Sequence, residues 1–240
     1  MIRATELSRE RRLAQADLLF LLAGLLSPPP ADRSRFEIDG GTTRALLDAA
    51  GLPSGDRARG ALRRALDAAA RMEAASWREE YTRLFDGAGV SPLNETVYVR
   101  RDKGAILADL AGFYHAFRWR PAARGEKHDT LPVELEFAAL LLVSVAQAEA
   151  AEQADVAHEA LRSFAGDHLG EWIDLFAMRL ERTTELSLYR DVAEAVSGVW
   201  RGIVRANGLP LSPEAGPCPE LAEDGASFTC GLEDRAGTEE

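Results

Sequence analysis

The sequence predicts an all-α chain, and three observations predict it. Apolar residues recur at three- and four-residue intervals from Leu7 to beyond Ser187. No alternating apolar–polar run longer than a few residues marks a strand. Proline and glycine fall between the periodic segments, as at Pro28-Pro29-Pro30, Gly87-Ala88-Gly89, Pro121 and Asn207-Gly208-Leu209-Pro210. With 240 residues, 46% of them hydrophobic and 28% charged, the chain can bury a sizeable core. The expected organisation is one helical domain over residues 1–210. A Pro-, Gly- and Glu-rich tail, residues 211–240, is expected to be disordered.

Taken in order, Leu7, Leu18, Leu21, Leu22 and Leu25 fit one side of a first core helix that the three prolines end. Arg11-Arg12 ahead of the apolar run Leu18–Leu26 superficially resembles a twin-arginine export signal. However, Leu13-Ala14-Gln15 follows the arginines in place of an apolar pair, and Asp17 sits at the edge of the run. No small-x-small cleavage site precedes Pro28, and the run is too short to span a bilayer. The segment is therefore read as part of the fold, and the protein is expected to stay in the cytoplasm. Residues 31–60 read as a mobile connection with a short helical patch at Thr43–Ala50. Arg57 to Phe85 reads as one long helix or two abutting ones. A loop over Val90–Val97 leads into a helix from about Tyr98 to Trp119.

The centre of the chain is the stretch Lys127–Val145. A polar loop with His128, Asp129 and Thr130 enters a helix that is apolar almost all round, and such a helix is surrounded by others. Pro132 suits its first turn, and Asp129 or Thr130 offers an oxygen to cap it. Glu134 and Glu136 point roughly 200° apart, so they cannot share one substrate. Downstream, Asp155–Gly166, His168–Leu180 and Ser187–Ala206 are helical, with a break expected at Gly166.

Function classes narrow next. The net charge of −11 leaves no basic stripe for nucleic-acid phosphates. No Walker-type or dinucleotide glycine motif occurs, and His158-Glu159 does not extend to a His-Glu-x-x-His zinc motif. Cys218 and Cys230 form no disulfide framework and no closed zinc site; they read as free thiols of a reducing compartment. No catalytic residue, metal or cofactor is expected.

Three motifs lie in order along the chain. Glu79-Glu80-Tyr81-Thr82-Arg83-Leu84-Phe85 is followed by Asn94-Glu95-Thr96-Val97-Tyr98. Next comes Asp129-Thr130-Leu131-Pro132-Val133-Glu134-Leu135-Glu136-Phe137, and then Phe164-Ala-Gly-Asp-His168-Leu169-Gly-Glu-Trp172. Together they resemble the TorD/DmsD family of maturation chaperones for molybdenum-cofactor oxidoreductases. The middle motif is similar to the family's Asp-His-Leu-x-x-Glu-Leu-Glu-Phe, with Thr130 where the family has histidine and His128 just before the aspartate. Asn94 stands where the family has tyrosine.

The resemblance implies a TorD-like helical chaperone, not an enzyme. It would bind the apo catalytic subunit of a molybdopterin oxidoreductase of the DMSO reductase family, through its twin-arginine leader, until the cofactor is inserted. Rival readings are a helical ligand-binding enzyme and a stable accessory subunit of the oxidoreductase. A homodimer by helix exchange fits the loose 31–60 connection. The partner surface is expected at Glu95, Tyr98, Tyr114, His128, Asp129, Thr130 and Leu131. There Asp129 would face leader arginines, and the two tyrosine hydroxyls would sit at a wet edge. Phe113 and Phe117 should pack inward. Glu80, Tyr81, Phe85, Glu134, Glu136, Phe137, His168 and Trp172 are read as structural, with Glu134 an internal hydrogen-bond acceptor.

Overall fold

The computed structural model describes residues 2–87, 89–121 and 127–210, with side chains from Ser8 onward. The expected tail, Cys218 and Cys230 included, lies outside the described residues. Among those residues every regular element is helical: α1 Ile2–Leu26, α2 Gly40–Ala49, α3 Arg57–Arg71, α4 Ala74–Phe85, the single turn α5 Glu95–Tyr98, α6 Lys103–Ala116, α7 Leu131–Gln147, α8 Ala151–Phe164, α9 Gly170–Thr183 and α10 Ser187–Asn207. None of these helices is long and apolar enough to cross a membrane.

Helix α7 is central, as its composition requires. It packs along α1 and against α8, and Leu131, Leu135, Phe137, Ala138, Ala139, Leu141 and Leu142 are fully buried. Its last turns depart from the expectation, since Leu140, Val143 and Val145 are only half-buried. A second layer forms where α10 packs on α3 and α9. The approach of α10 to α3 is close: a Cβ on Gly198 would lie 2.4 Å from the Ala58 Cβ. The apolar run of α1 is core, with Leu18, Leu19, Leu22, Leu25 and Leu26 fully buried.

Short acidic side chains start several helices. Asp39 accepts from the Gly41 and Thr42 amides, Asp56 from Ala58, Glu73 from Ser76 and Asp102 from Ala105. Two expectations are corrected here, at residues 31–60 and at Gly166, and the alternative left open over Arg57–Phe85 is decided. The 31–60 connection is ordered: α2 packs on α1 and α3, and Phe36 is buried 5.7 Å from Trp77, ring centre to centre. Arg57–Phe85 resolves into two helices. The break foreseen at Gly166 is a π-helical turn, Ala165–Leu169, that carries α8 into α9 without interruption.

Candidate functional site

The Asp129 loop and the α5 turn are built against each other. The Glu95 amide donates to the Asp129 carbonyl at 2.8 Å, and the Leu131 amide donates to the Leu93 carbonyl at 2.8 Å. This bridge between Asn94 and Thr130 brings two distant motifs into one centre. The Asp129 carboxylate does not cap α7. Thr130 holds the N-cap position, but its hydroxyl caps no helix amide and donates instead to the Lys127 carbonyl at 3.3 Å, and Asp129 accepts from Asn94 Nδ2 at 2.9 Å and Thr96 Oγ1 at 2.7 Å. It is 2% exposed. The extended entry backbone turns its side chain back toward α5 rather than over the helix start.

Behind this bridge lies a buried polar network. Glu95 is fully buried and accepts from Arg101 at 2.9 Å. His168 Nδ1 lies 3.0 Å from the Glu95 carboxylate, and its Nε2 lies 3.2 Å from Asp109. Arg101 also reaches the Asp167 carbonyl and lies 3.5 Å from Glu171. Glu134, fully buried, accepts from Trp172 Nε1 at 3.0 Å. Burial, then the neighbouring Glu95 charge, pushes the Glu134 carboxyl well above its ordinary range against the Trp172 bond. A Glu134 that keeps its proton avoids placing a second buried charge beside Glu95.

Aromatic rings enclose the network. Tyr98 stacks on Trp172 at 5.4 Å. The Tyr114 hydroxyl donates to the His128 carbonyl at 2.8 Å, and burial followed by the charges of Glu134, Glu95 and Asp129 raises its pKa. Phe137 gathers the rings of Tyr114, Phe117, Trp119, Phe113 and Phe164 around it. Phe113 and Phe117 face inward but stay half-buried. The wet edge foreseen for Tyr98 and Tyr114 is corrected, since they are 4% and 3% exposed. Of the seven residues expected to meet a partner, only His128 is exposed and Thr130 half-buried; Glu95, Tyr98, Tyr114, Asp129 and Leu131 are inside.

The first motif makes a separate joint. Glu80 receives two bonds from Arg83, at 2.7 and 2.8 Å, with Thr184 Oγ1 and the Glu185 amide each donating at 2.8 Å. Tyr81 and Phe85 pack edge to face at 5.1 Å beside this joint. Glu136 is half-buried on α7. Sequence reasoning missed Arg101 and Asp109, which no motif marks and which only the packing of α5, α6 and the π-turn brings to Glu95 and His168.

Beside this centre the surface opens into an apolar groove. Past the end of α6, the C-terminal half of α7 and the start of α8 leave a groove of about 540 Å3 lined by Phe117, Ser144, Gln147, Ala148, Glu152, Gln153, Val156 and Ala157. Val156 is 66% exposed there. Phe117 touches Phe137, so the groove shares a ring with the motif centre. Among the described residues, no group of three or more His, Cys, Asp or Glu side chains is arranged to hold a metal.

A helical scaffold whose motif acids are spent on internal bonds, with an apolar groove beside them, is built for recognition. Residues 50–178, more than half of the chain, match the family model of the nitrate reductase delta subunit, and the chain belongs to that family. Its TorD/NarJ-type members are maturation chaperones for molybdoenzymes, not catalytic enzymes. This confirms the family that the three motifs resemble. No curated protein matches the chain.

Proposed function

We propose that this protein binds the N-terminal leader of the apo catalytic subunit of a nitrate reductase-type molybdoenzyme, and holds it in the cytoplasm until the molybdenum cofactor is inserted. The observation that carries this reading is the apolar groove along α7 and α8. A leader with arginines followed by an apolar stretch needs an apolar slot beside carboxylates. The groove offers Phe117, Ala148, Val156 and Ala157 together with the carboxylate of Glu152, and Glu149, Asp155 and Glu159, each within two residues of a lining residue in sequence, are exposed. The buried Glu95–His168–Glu134 network supports the role by fixing α5, α7 and α9, and His128 and Thr130 form the accessible rim of the motif loop.

Titration of a fluorescently labelled leader tests this. Val156 is exposed, so Val156→Lys leaves the fold intact while placing a charge in the slot. Loss of about 1.5–3 kcal/mol of apolar burial weakens the leader about tenfold or more. Unchanged affinity in Val156→Lys places the leader elsewhere.

A further inference from the structure

A second pocket opens between α2 and α3, away from the motif residues. It has a volume of about 310 Å3, and Thr43, Arg44, Ser54, Arg59 and Arg63 line it together with Asp48. Arg59 is committed: its side chain is 12% exposed, pairs with Asp48 and donates to the Leu52 carbonyl at 2.8 Å. Arg44 and Arg63 are exposed and have no ion-pair partner among the described residues. Three arginines against one aspartate form a basic concavity in a chain of net charge −11.

The same chain carries a complementary segment. Residues 211–240 hold eight acidic residues and one arginine, a net charge of −7. The helix that precedes this segment ends beside the basic pocket. Asn207 donates to Gln15 at 2.8 Å, and Gln15 donates to the Ala50 carbonyl at the end of α2, at 3.1 Å. A Cβ on Gly202 would lie 3.4 Å from Leu52, whose carbonyl Arg59 holds. A tether of thirty residues reaches at most about 100 Å, far more than the gap requires. Tethering gives it a local concentration on the order of millimolar, which no free acidic partner matches at ordinary levels.

We infer that the acidic segment 211–240 docks on this arginine pocket between α2 and α3, so that the pocket is the seat of the chain's own C-terminal segment. Guanidinium groups held in a concavity accept carboxylates in forked pairs, and Arg59, fixed by Asp48 and Leu52, provides a rigid wall.

The chain contains two cysteines, Cys218 and Cys230, both in the acidic segment, and they serve as probe sites in the full-length protein. A nitroxide is attached to both, and loss of backbone amide signal is measured in 15N-labelled protein. Signal loss is expected across Arg44 to Arg63. It is expected to vanish in about 0.5 M salt, where screening shortens to a few ångströms, and in Arg44→Glu/Arg63→Glu. Both substituted residues are exposed, and a melting curve of the double variant checks the fold. Reversing the tail charges at Glu220, Glu223, Glu233 and Asp234 to lysine in that double variant is expected to restore the signal loss. Signal loss centred on any other surface overturns the inference, and so does a pattern at Arg44–Arg63 that the double variant leaves unchanged. Signal loss that appears only when labelled and unlabelled molecules are mixed assigns the contact to a second copy, and also overturns it.

Discussion

Glu80 and Glu134 are both buried glutamates of the family motifs, and they ionise in opposite senses. Around Glu80, burial works against the charge, but the Arg83 fork, the Glu185 amide and Thr184 together outweigh it, and its pKa falls. Around Glu134, burial acts in the same direction as the charges of Glu95 and Asp129, and the single Trp172 bond does not compensate, so its pKa rises. The α4–α9 joint is an ion pair with neutral donors added, whereas the α5–α7–α9 centre holds Glu134 with its proton beside Trp172. Residue type sets neither outcome; a cation in contact decides it.

The largest expected effect comes from cutting the Glu134 centre. Glu134→Ala leaves Trp172 Nε1 without its acceptor and opens a cavity beside Leu131, and should cost about 3 kcal/mol. Glu134→Gln keeps an oxygen for Trp172 and stays neutral beside Glu95, and should cost under about 1 kcal/mol. Melting curves separate the two. Equal losses would mean that Glu134 is ionised in the fold and the comparison fails.

Breaking the other joint comes next. Glu80→Gln halves the bidentate fork to Arg83 and removes its charge, for about 1.5–2 kcal/mol. Here the neutral isostere is the damaging change, the reverse of Glu134, and chemical denaturation of the two Gln variants side by side reads it directly.

The same contrast has a pH signature. A carboxyl raised in the fold keeps its proton where the unfolded chain has lost it. Its contribution is therefore present at low pH and is lost as pH rises above the ordinary value of 4.5. A carboxyl lowered in the fold contributes above 4.5, and that contribution is lost as pH falls through its folded value. Glu134→Gln should flatten the stability profile above pH 4.5, and Glu80→Gln should flatten it below. Glu171, also raised chiefly by burial, leaves some slope above pH 4.5 in Glu134→Gln. A profile unchanged in either variant would show that its carboxyl does not titrate between the states.

How much of this was legible in the sequence follows the same divide. Arg83 lies three residues after Glu80 on one helix, so that pair is local and readable. The burial of α7 was legible from its unbroken apolar composition, and the helices from their spacing. The partners of Glu134, Glu95 and His168 were not, because they meet through a two-residue bridge and a π-turn that no periodicity encodes. The ordering of residues 31–60 was hidden for a related reason. Its glycines and aspartates read as a loop, yet Asp39 and Asp56 are helix caps, and Phe36 is an anchor under Trp77.

The smallest effect tests the third buried carboxylate, which sits between the two cases. Asp129 has no ion-pair partner among the described residues; it accepts from the neutral donors Asn94 Nδ2 and Thr96 Oγ1, one on each oxygen. Asp129→Asn keeps the size and one acceptor, but its amide nitrogen must face one of those donors. The mismatch should cost about 1 kcal/mol, that of one lost neutral hydrogen bond. Read as a partner-facing charge, the same change would weaken an arginine-bearing leader and spare stability. At 2% exposure the order reverses: melting temperature falls and leader affinity holds. Thr96→Val, which removes the other donor in place, should cost a similar amount, and the double variant less than the sum, since both act on one hydrogen-bonded unit. A leader affinity that drops in Asp129→Asn with an unshifted melting curve would turn this carboxylate outward, and would move the recognition site from the α7–α8 groove to the motif loop.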